Sequence, residues 1–367
     1  MIKILYDSQM FDKQKYGGVS RYFANLISGL DDNPQFRAEV SVLSTQNYYL
    51  ADKRKWKLSN NIIGNFFLKD AKRISKWNKT YSRFCMIKND FDLLHPTYFH
   101  PYFLKVLKRP FVITVHDMIY ELYPHYFHDT DLTALHKIKV INAATHIIAI
   151  SETTKSDLIR LLNVPEEKIT VVYHGHSYIK NQTVPKIDFP DQYVLFVGGR
   201  EDYKNFEIFA KGVAKVMEGN PELRLVCAGG GQFSSVEEHF LSQIGILHHT
   251  LQYDTTDDLL YWLYKKAKAF VYPSLYEGFG LPILEAFESG CPVILSDTPS
   301  FHEVAGDAAV YFDPQNPESI AKEIQSILDH SNLAISMILK GNARLRDFTM
   351  EKCIAETIAV YKKCVID

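Results

Sequence analysis

The 367-residue sequence contains no run that approaches the ~20 consecutive apolar residues of a membrane-spanning helix. Any contact with a bilayer is therefore expected to be peripheral. Cysteine is scarce. The five residues at 85, 227, 291, 353 and 364 are odd in number, scattered, and include no Cys-x-x-Cys pair. That excludes a disulfide scaffold and a cysteine-based zinc site, and it fits a reducing cytoplasm. No internal repeat and no low-complexity tract is present. The opening Met1–Asp7 is too short and too quickly polar for a signal peptide and reads as a first β-strand.

What is there is an ordinary globular composition, 46% hydrophobic and 23% charged, in a chain too long for one core. Two domains are expected. Short apolar strands alternate with longer amphipathic stretches, the pattern of an α/β chain with parallel sheets. Strands are expected at Lys3–Tyr6, Glu39–Leu43, Leu93–His95, Phe111–His116, His146–Ile150 and Ile169–Tyr173. Residues 180–192, with two prolines among polar residues, interrupt the pattern and read as a linker. A second series follows at Tyr193–Val197, Leu223–Ala228, 246–251, Ala269–Tyr272, Pro292–Leu295 and Ala309–Phe312. The net charge of −2 is unevenly spread. Residues 1–178 hold 24 Lys and Arg against 17 Asp and Glu, while 179–367 hold 17 against 26. The first half is therefore expected to meet an anionic surface.

One segment says more than any other. Residues 272–297 carry a buried strand into Glu277-Gly278-Phe279-Gly280-Leu281-Pro282, then into a helix holding Glu285. Proline suits a first helical position because its missing N–H would be unpaired there. The free N–H groups around Gly280 and Leu281 form an anion site at the helix mouth. Glu277 and Glu285 flank it. Taken alone, a Glu-x7-Glu pair reads more readily as a surface glutamate and a solvated helix glutamate. The whole run, however, resembles the retaining glycosyltransferases of family 4, whose signature is this loop inside a Glu-x7-Glu pair. The resemblance covers nearly the whole chain.

The resemblance implies the GT-B fold: two Rossmann-like doubly wound domains with an inter-domain cleft. Residues 1–178 would bind the acceptor and 179–349 the nucleotide sugar, with the last helix, about 350–367, packing back on the first domain. It also implies roles. Glu285 would hold a ribose. Arg200 and Lys204, after the strand Tyr193–Val197 and Gly198-Gly199, would neutralise a diphosphate with the Gly278, Phe279, Gly280 and Leu281 backbone. Glu277 and His116 would grip the donor sugar, and Gly17-Gly18 would touch the donor phosphate or the acceptor. From the residues alone, Gly17-Gly18 is as readily a plain turn, His116 a half-buried histidine, and Arg200 with Lys204 a solvated basic loop. Ser20 reads as a helix cap, as does Ser151. Ala228-Gly229-Gly230-Gly231 lacks the Gly-x-Gly-x-x-Gly spacing and reads as a turn lining the nucleotide pocket. His95 and Tyr98, in an aromatic-rich loop, and Asp117 are candidate acceptor contacts. Asp90-x-Asp92 and Asp129-x-Asp131 are read as structural or solvated, so no metal is expected, and no cofactor.

Residues 53–88 hold 11 basic residues against one acid, Asp70, interleaved with Trp56, Ile74 and Trp77 among other apolar residues. Either this is a solvated helix face, or it meets an anionic partner. No nucleic-acid fold signature accompanies it, so an anionic membrane surface or acceptor is favoured. The expected activity is metal-independent retaining transfer of a hexose, by preference from GDP-mannose, to a saccharide or lipid-linked saccharide. The expected setting is O-antigen- or capsule-like surface polysaccharide synthesis, on the cytoplasmic face of the plasma membrane. The alternatives are a GT-B sugar-nucleotide epimerase, a phosphorylase, or a nucleotide-sugar-binding module without turnover.

Overall fold

The computed structural model describes residues 1–51, 71–176, 184–200 and 202–366. The boundary expected after residue 178 lies outside the described residues. The chain divides into two compact units, Met1–Gly175 with Met350–Asp367, and His176–Thr349.

The first unit carries six parallel strands: β1 (Ile2–Tyr6), β2 (Phe36–Val40), β3 (Leu93–His95), β4 (Val112–Val115), β5 (His146–Ala149) and β6 (Ile169–Val171). They run in the orders β2-β1-β3 and β4-β5-β6, and a parallel bridge between Leu94 and Phe111 joins the two sets. β4 and β5 are buried along their whole length, as expected of strands covered by helices on both faces. The helix Gly18–Asp31 buries Tyr22, Phe23, Leu26, Ile27 and Leu30, one apolar stripe at helical spacing. The helix Met350–Ile366 adds Cys353, Val360, Tyr361 and Cys364 to the same core. The Tyr361 and Tyr6 hydroxyls meet at 2.8 Å inside it.

The second strand begins three residues earlier than expected. Its register is set by β1, with Ile2 opposite Phe36 and Tyr6 opposite Val40. Phe36 and Ala38 point inward and Arg37 outward. Val42 still joins the core, but from the loop beyond the sheet.

The second unit is one parallel sheet, ordered β12-β11-β10-β7-β8-β9. Its strands are β7 (Tyr193–Val197), β8 (Arg224–Ala228), β9 (Thr250–Tyr253), β10 (Ala269–Tyr272), β11 (Val293–Ser296) and β12 (Val310–Phe312). The ninth strand starts later than expected because Leu247–His249 form a 3-10 turn after Gly245, whose φ is +78°. The chain winds outward through β8 and β9, returns to β10, and winds out the other way. β7 and β10 are thus neighbours across a reversal of strand order, where open α/β sheets bind ligands.

Candidate active site

The loops leaving β7 and β10 are stitched together. The Leu275 N–H donates to the Tyr203 carbonyl at 2.9 Å. Asn205 donates from Nδ2 to the carbonyls of Pro273 at 3.1 Å and Pro314 at 2.7 Å. This sets Lys204 against Glu277, with Nζ 2.6 Å from Oε1 and both side chains about five-sixths buried, at 15% and 16% exposure. Burial opposes the Lys204 charge, but Glu277 and the nearby Tyr272 and Tyr203 outweigh it and hold the ammonium well above its ordinary pKa. The sequence treats these residues as two separate contacts. The structure makes them one ion pair, with Lys204 5.6 Å from the Tyr272 ring centroid.

Gly280 closes the Glu277 loop and opens the helix Leu281–Glu288. Its φ of +106° is a conformation few side chains tolerate, and an added Cβ would meet Ile283 Cδ1 at 2.9 Å. Phe279 anchors the loop by burying its ring edge-on to Phe348 at 5.5 Å. With the loop so fixed, the first-turn N–H groups at Gly280 and Leu281 have no helical acceptors, and the mouth favours an anion. Glu285 lies half-buried one turn on and accepts from the Tyr264 hydroxyl at 3.4 Å.

Arg200 follows the half-buried Gly199, and its side chain is 4% exposed. Its Nε donates to Glu237 at 2.5 Å, and its Nη atoms donate to the carbonyls of Gly229, Gly230, Gly231 and Gln232 at 3.0–3.4 Å. The Gly229–Gly231 run, left-handed at all three φ angles, curls its carbonyls around the guanidinium. The side chain is thus rigidly placed, and most of its donors are engaged within the protein. Glu237 also caps its own helix by accepting from Ser234, so one carboxylate fixes both the helix start and Arg200.

In the first unit, Gly17 is the cap of the helix Gly18–Asp31, not Ser20. Ser20 is buried and donates to the Gly17 carbonyl at 3.0 Å. Ser151 does cap its helix, accepting from the Thr154 N–H at 2.9 Å. His116 stacks on His174, with ring centroids 5.4 Å apart. Desolvation, with smaller contributions from His95 and Lys137, pushes its pKa down to about 3, so the ring is neutral. Its Nε2 is buried with no hydrogen-bond partner among the described residues. Asp117 does not orient His116. Its carboxylate lies 3.5 Å from Lys137, a fully buried ammonium that also pairs with Glu121 at 2.9 Å.

The structure places His95, expected as an acceptor contact, in the core of the first unit. It is fully buried, its Nδ1 meets the Tyr361 hydroxyl at 2.6 Å and its Nε2 the Thr114 hydroxyl at 2.9 Å. Both nitrogens are spent in the core. Tyr98, three residues on, does line a surface cavity. Of the basic stretch 53–88, residues 53–70 lie outside the described residues. Residues 71–88 form a helix whose exposed side carries Arg73, Lys76, Arg83 and Lys88 around Trp77, Phe84 and Ile87.

Sequence reasoning missed Tyr264, Glu237 and Lys137, whose partners lie 16 to 37 residues away. It also missed the buried hydroxyls of Ser274, Ser296 and Thr298, at or just past the carboxyl ends of β10 and β11, which have no hydrogen-bond partner among the described residues. Among the described residues, no group of three or more His, Cys, Asp or Glu is arranged to hold a metal.

The family profile for glycosyl transferases group 1 matches residues 179–344, and that for glycosyltransferase family 4 matches 16–177. O-antigen chain mannosyltransferase B of Escherichia coli is 32% identical over 271 residues, covering 68% of this chain and 70% of that protein. O-antigen chain mannosyltransferase RfbU of Salmonella typhimurium is 33% identical over 225 residues, 60% of this chain and 62% of that protein. Among solved structures, Anabaena HepE in complex with UDP and glucose superimposes with a TM-score of 0.74 at 16% identity, covering 99% of this chain and all of that one. WaaG, a glycosyltransferase involved in lipopolysaccharide biosynthesis, gives 0.71 at 13% identity over 98% and 99%. At such identities these neighbours speak for the fold. Together with the matched halves, they show that the chain belongs to the family 4, or group 1, glycosyltransferases of the GT-B fold.

Proposed function

We propose that this glycosyltransferase moves mannose from GDP-mannose, with retention at the anomeric carbon and without a metal, to a saccharide or lipid-linked saccharide of a surface polysaccharide. The observation that carries the reading is the Lys204–Glu277 pair beside the open helix mouth at Gly280 and Leu281. It supplies a cation and backbone donors where a leaving diphosphate gains charge, and preorganised groups of this kind are often the largest catalytic term. Glu285 is the proposed ribose ligand and Arg200 the fixed cation of the diphosphate site. Glu277 is paired, which disfavours it as a covalent nucleophile. The proposed reaction therefore runs on one face of the sugar, with the departing phosphate taking the acceptor's proton. In the first unit, neutral His116 with its unengaged Nε2 is the proposed contact to a sugar hydroxyl. Mannose is favoured by the activity named for both bacterial relatives.

The test is nucleoside diphosphate release from a panel of sugar nucleotides, with the product anomer read by NMR and each assay repeated in EDTA. GDP-mannose should be turned over fastest, the α anomer retained, and EDTA without effect. Preference for a UDP-sugar would overturn the donor, an inverted anomer the mechanism, and loss of rate restored by magnesium or manganese the metal-free chemistry. No release from any donor would leave a binding module.

A further inference from the structure

The first unit has a strand reversal of its own. In the order β2-β1-β3-β4-β5-β6 the chain winds one way from β1 and returns on the other side at β3. A cavity of about 180 Å³ lies at the carboxyl ends of these two strands. Its walls include Gln9 and Lys13 from the segment after β1, Tyr98 and His100 from the segment after β3, and Lys79 from the helix Ala71–Lys88. We propose that this cavity binds a phosphate group borne by the acceptor, with Lys13 and Lys79 as its cationic ligands and the His100 Nε2–H as a third donor. The word acceptor rests on the transferase reading above, but the phosphate site does not.

The His100 Nδ1 accepts from the Tyr102 N–H at 3.2 Å, so in the neutral ring the proton is on Nε2. That N–H faces Lys79 Nζ at 3.1 Å. An ammonium has no lone pair to offer, so two donors converge with no acceptor between them. Desolvation and the neighbouring Lys79 and His136 push the His100 pKa down to about 4, so the ring stays neutral and this conflict persists at neutral pH. The neighbouring Arg73 and Lys76 are exposed on the same helix, whereas Lys79 is half-buried. It turns inward to this cavity instead, 5.3 Å from the Tyr102 ring centroid. Lys13 lies over the Tyr98 ring at 4.1 Å.

Neither lysine has a carboxylate within ion-pair distance among the described residues. Desolvation lowers the pKa of both, a cost that a bound anion would relieve. The one carboxylate on the wall, Asp12, is engaged within the protein: Ser8 Oγ donates to it at 2.8 Å and Asn78 Nδ2 at 2.6 Å. A phosphate offers several oxygens around one centre, so it can bridge two separated ammonium groups and an imidazole N–H, and lysine binds it as a point charge. The Tyr98 and Phe99 side chains beside it can take the C–H face of an attached pyranose.

The probe is a hexose 1-phosphate titrated into the full-length protein by calorimetry, with saturating GDP and UDP present to fill the donor site. The unphosphorylated hexose and inorganic phosphate serve as parallel probes. Hexose phosphate should bind and the bare hexose should not. Lys13→Gln and Lys79→Gln should each weaken Kd by about tenfold, and Lys79→Arg should recover most of the loss. Nucleotide binding by each variant checks that it is folded. If vesicles containing phosphatidic acid displace the probe, the phosphate belongs to a lipid headgroup; if they do not, to a soluble sugar phosphate. Absence of binding with nucleotide present, or binding that both glutamine variants leave unchanged, overturns the proposal. Sugar-nucleotide turnover on the same preparations separates the two ideas. Intact turnover without phosphate binding sinks the cavity alone, and phosphate binding without turnover sinks only the transferase reading.

Discussion

Lys204 and Glu277 left water together, and each now depends on the other. Removing one partner of a buried ion pair strands a charge and typically costs ~3–5 kcal/mol. Lys204→Ala should therefore lower the melting temperature as well as cut turnover by ~10²–10³, the loss expected for one preorganised stabiliser. Glu277→Gln keeps the shape and a hydrogen-bond acceptor, so it should destabilise less while still reducing kcat. Glu285→Ala should chiefly raise KM, because a ribose contact is the same in the ground and transition states. Near wild-type rates for Lys204→Ala at saturating donor would show that the diphosphate is held elsewhere. At this scale the sequence is legible where a candidate site sits in one contiguous run, as with the loop and helix that carry Glu277 and Glu285. It is not legible where a side chain's partner is far away. His95 looks like any histidine at a strand end, and what fixes its role is Tyr361, 266 residues on. That role has a measurable consequence. Burial holds the His95 pKa at about 3 against an ordinary 6.5. Between those values the unfolded chain binds a proton that the folded chain refuses, so stability is lost as pH falls through this window. His95→Gln, which can still hydrogen-bond Tyr361 and Thr114, should flatten the pH dependence of unfolding by up to about 1.4 kcal/mol per pH unit. An unchanged slope in denaturant titrations would mean that His95 is protonated in the folded core.

Elements were more legible than partners, because period and punctuation are local signals. Leu281-Pro282 after a glycine announces a helix start, and the helix does begin at Leu281. The second strand was misplaced because Val40-Ser41-Val42-Leu43 has strand-like composition, whereas the register with β1 is a long-range fact. The Gly280 junction is where an element's conformation and the site's chemistry coincide. Gly280→Ala imposes a Cβ at a left-handed φ and against Ile283 and Phe301. Such strain costs about 1–3 kcal/mol, and relief requires the loop to move. The first-turn N–H groups would move with it, so donor affinity should fall together with stability. A variant that loses stability while its donor KM stays fixed would separate the helix mouth from the diphosphate site.

Over the whole molecule, the excess of positive charge in residues 1–178 finds one physical location on the described helix Ala71–Lys88. Trp77, Phe84 and Ile87 are 58%, 61% and 65% exposed, and the spacing of seven and three residues places them on one side. Arg73, Lys76, Arg83 and Lys88 surround them. Large exposed apolar side chains ringed by cations suit the interface of an anionic leaflet, where each cation contributes ~1 kcal/mol and the rings insert among headgroups. No described helix is long and apolar enough to cross a membrane. Changing Arg73, Lys76 and Arg83 to Glu should abolish sedimentation with anionic liposomes, and Trp77→Ser with Phe84→Ser should weaken it even at low salt. Neither set should alter donor hydrolysis, because none of these residues is among the proposed donor contacts. Raising salt to ~0.5 M, where the Debye length falls well below 10 Å, should release the wild type but spare whatever binding the aromatic rings alone support. Lys79 is left out of the charge reversal because it faces the cavity, and its change would confound membrane affinity with phosphate binding. Equal sedimentation of wild type and the charge-reversed variant would leave the helix a solvated surface and remove the membrane from the proposed function.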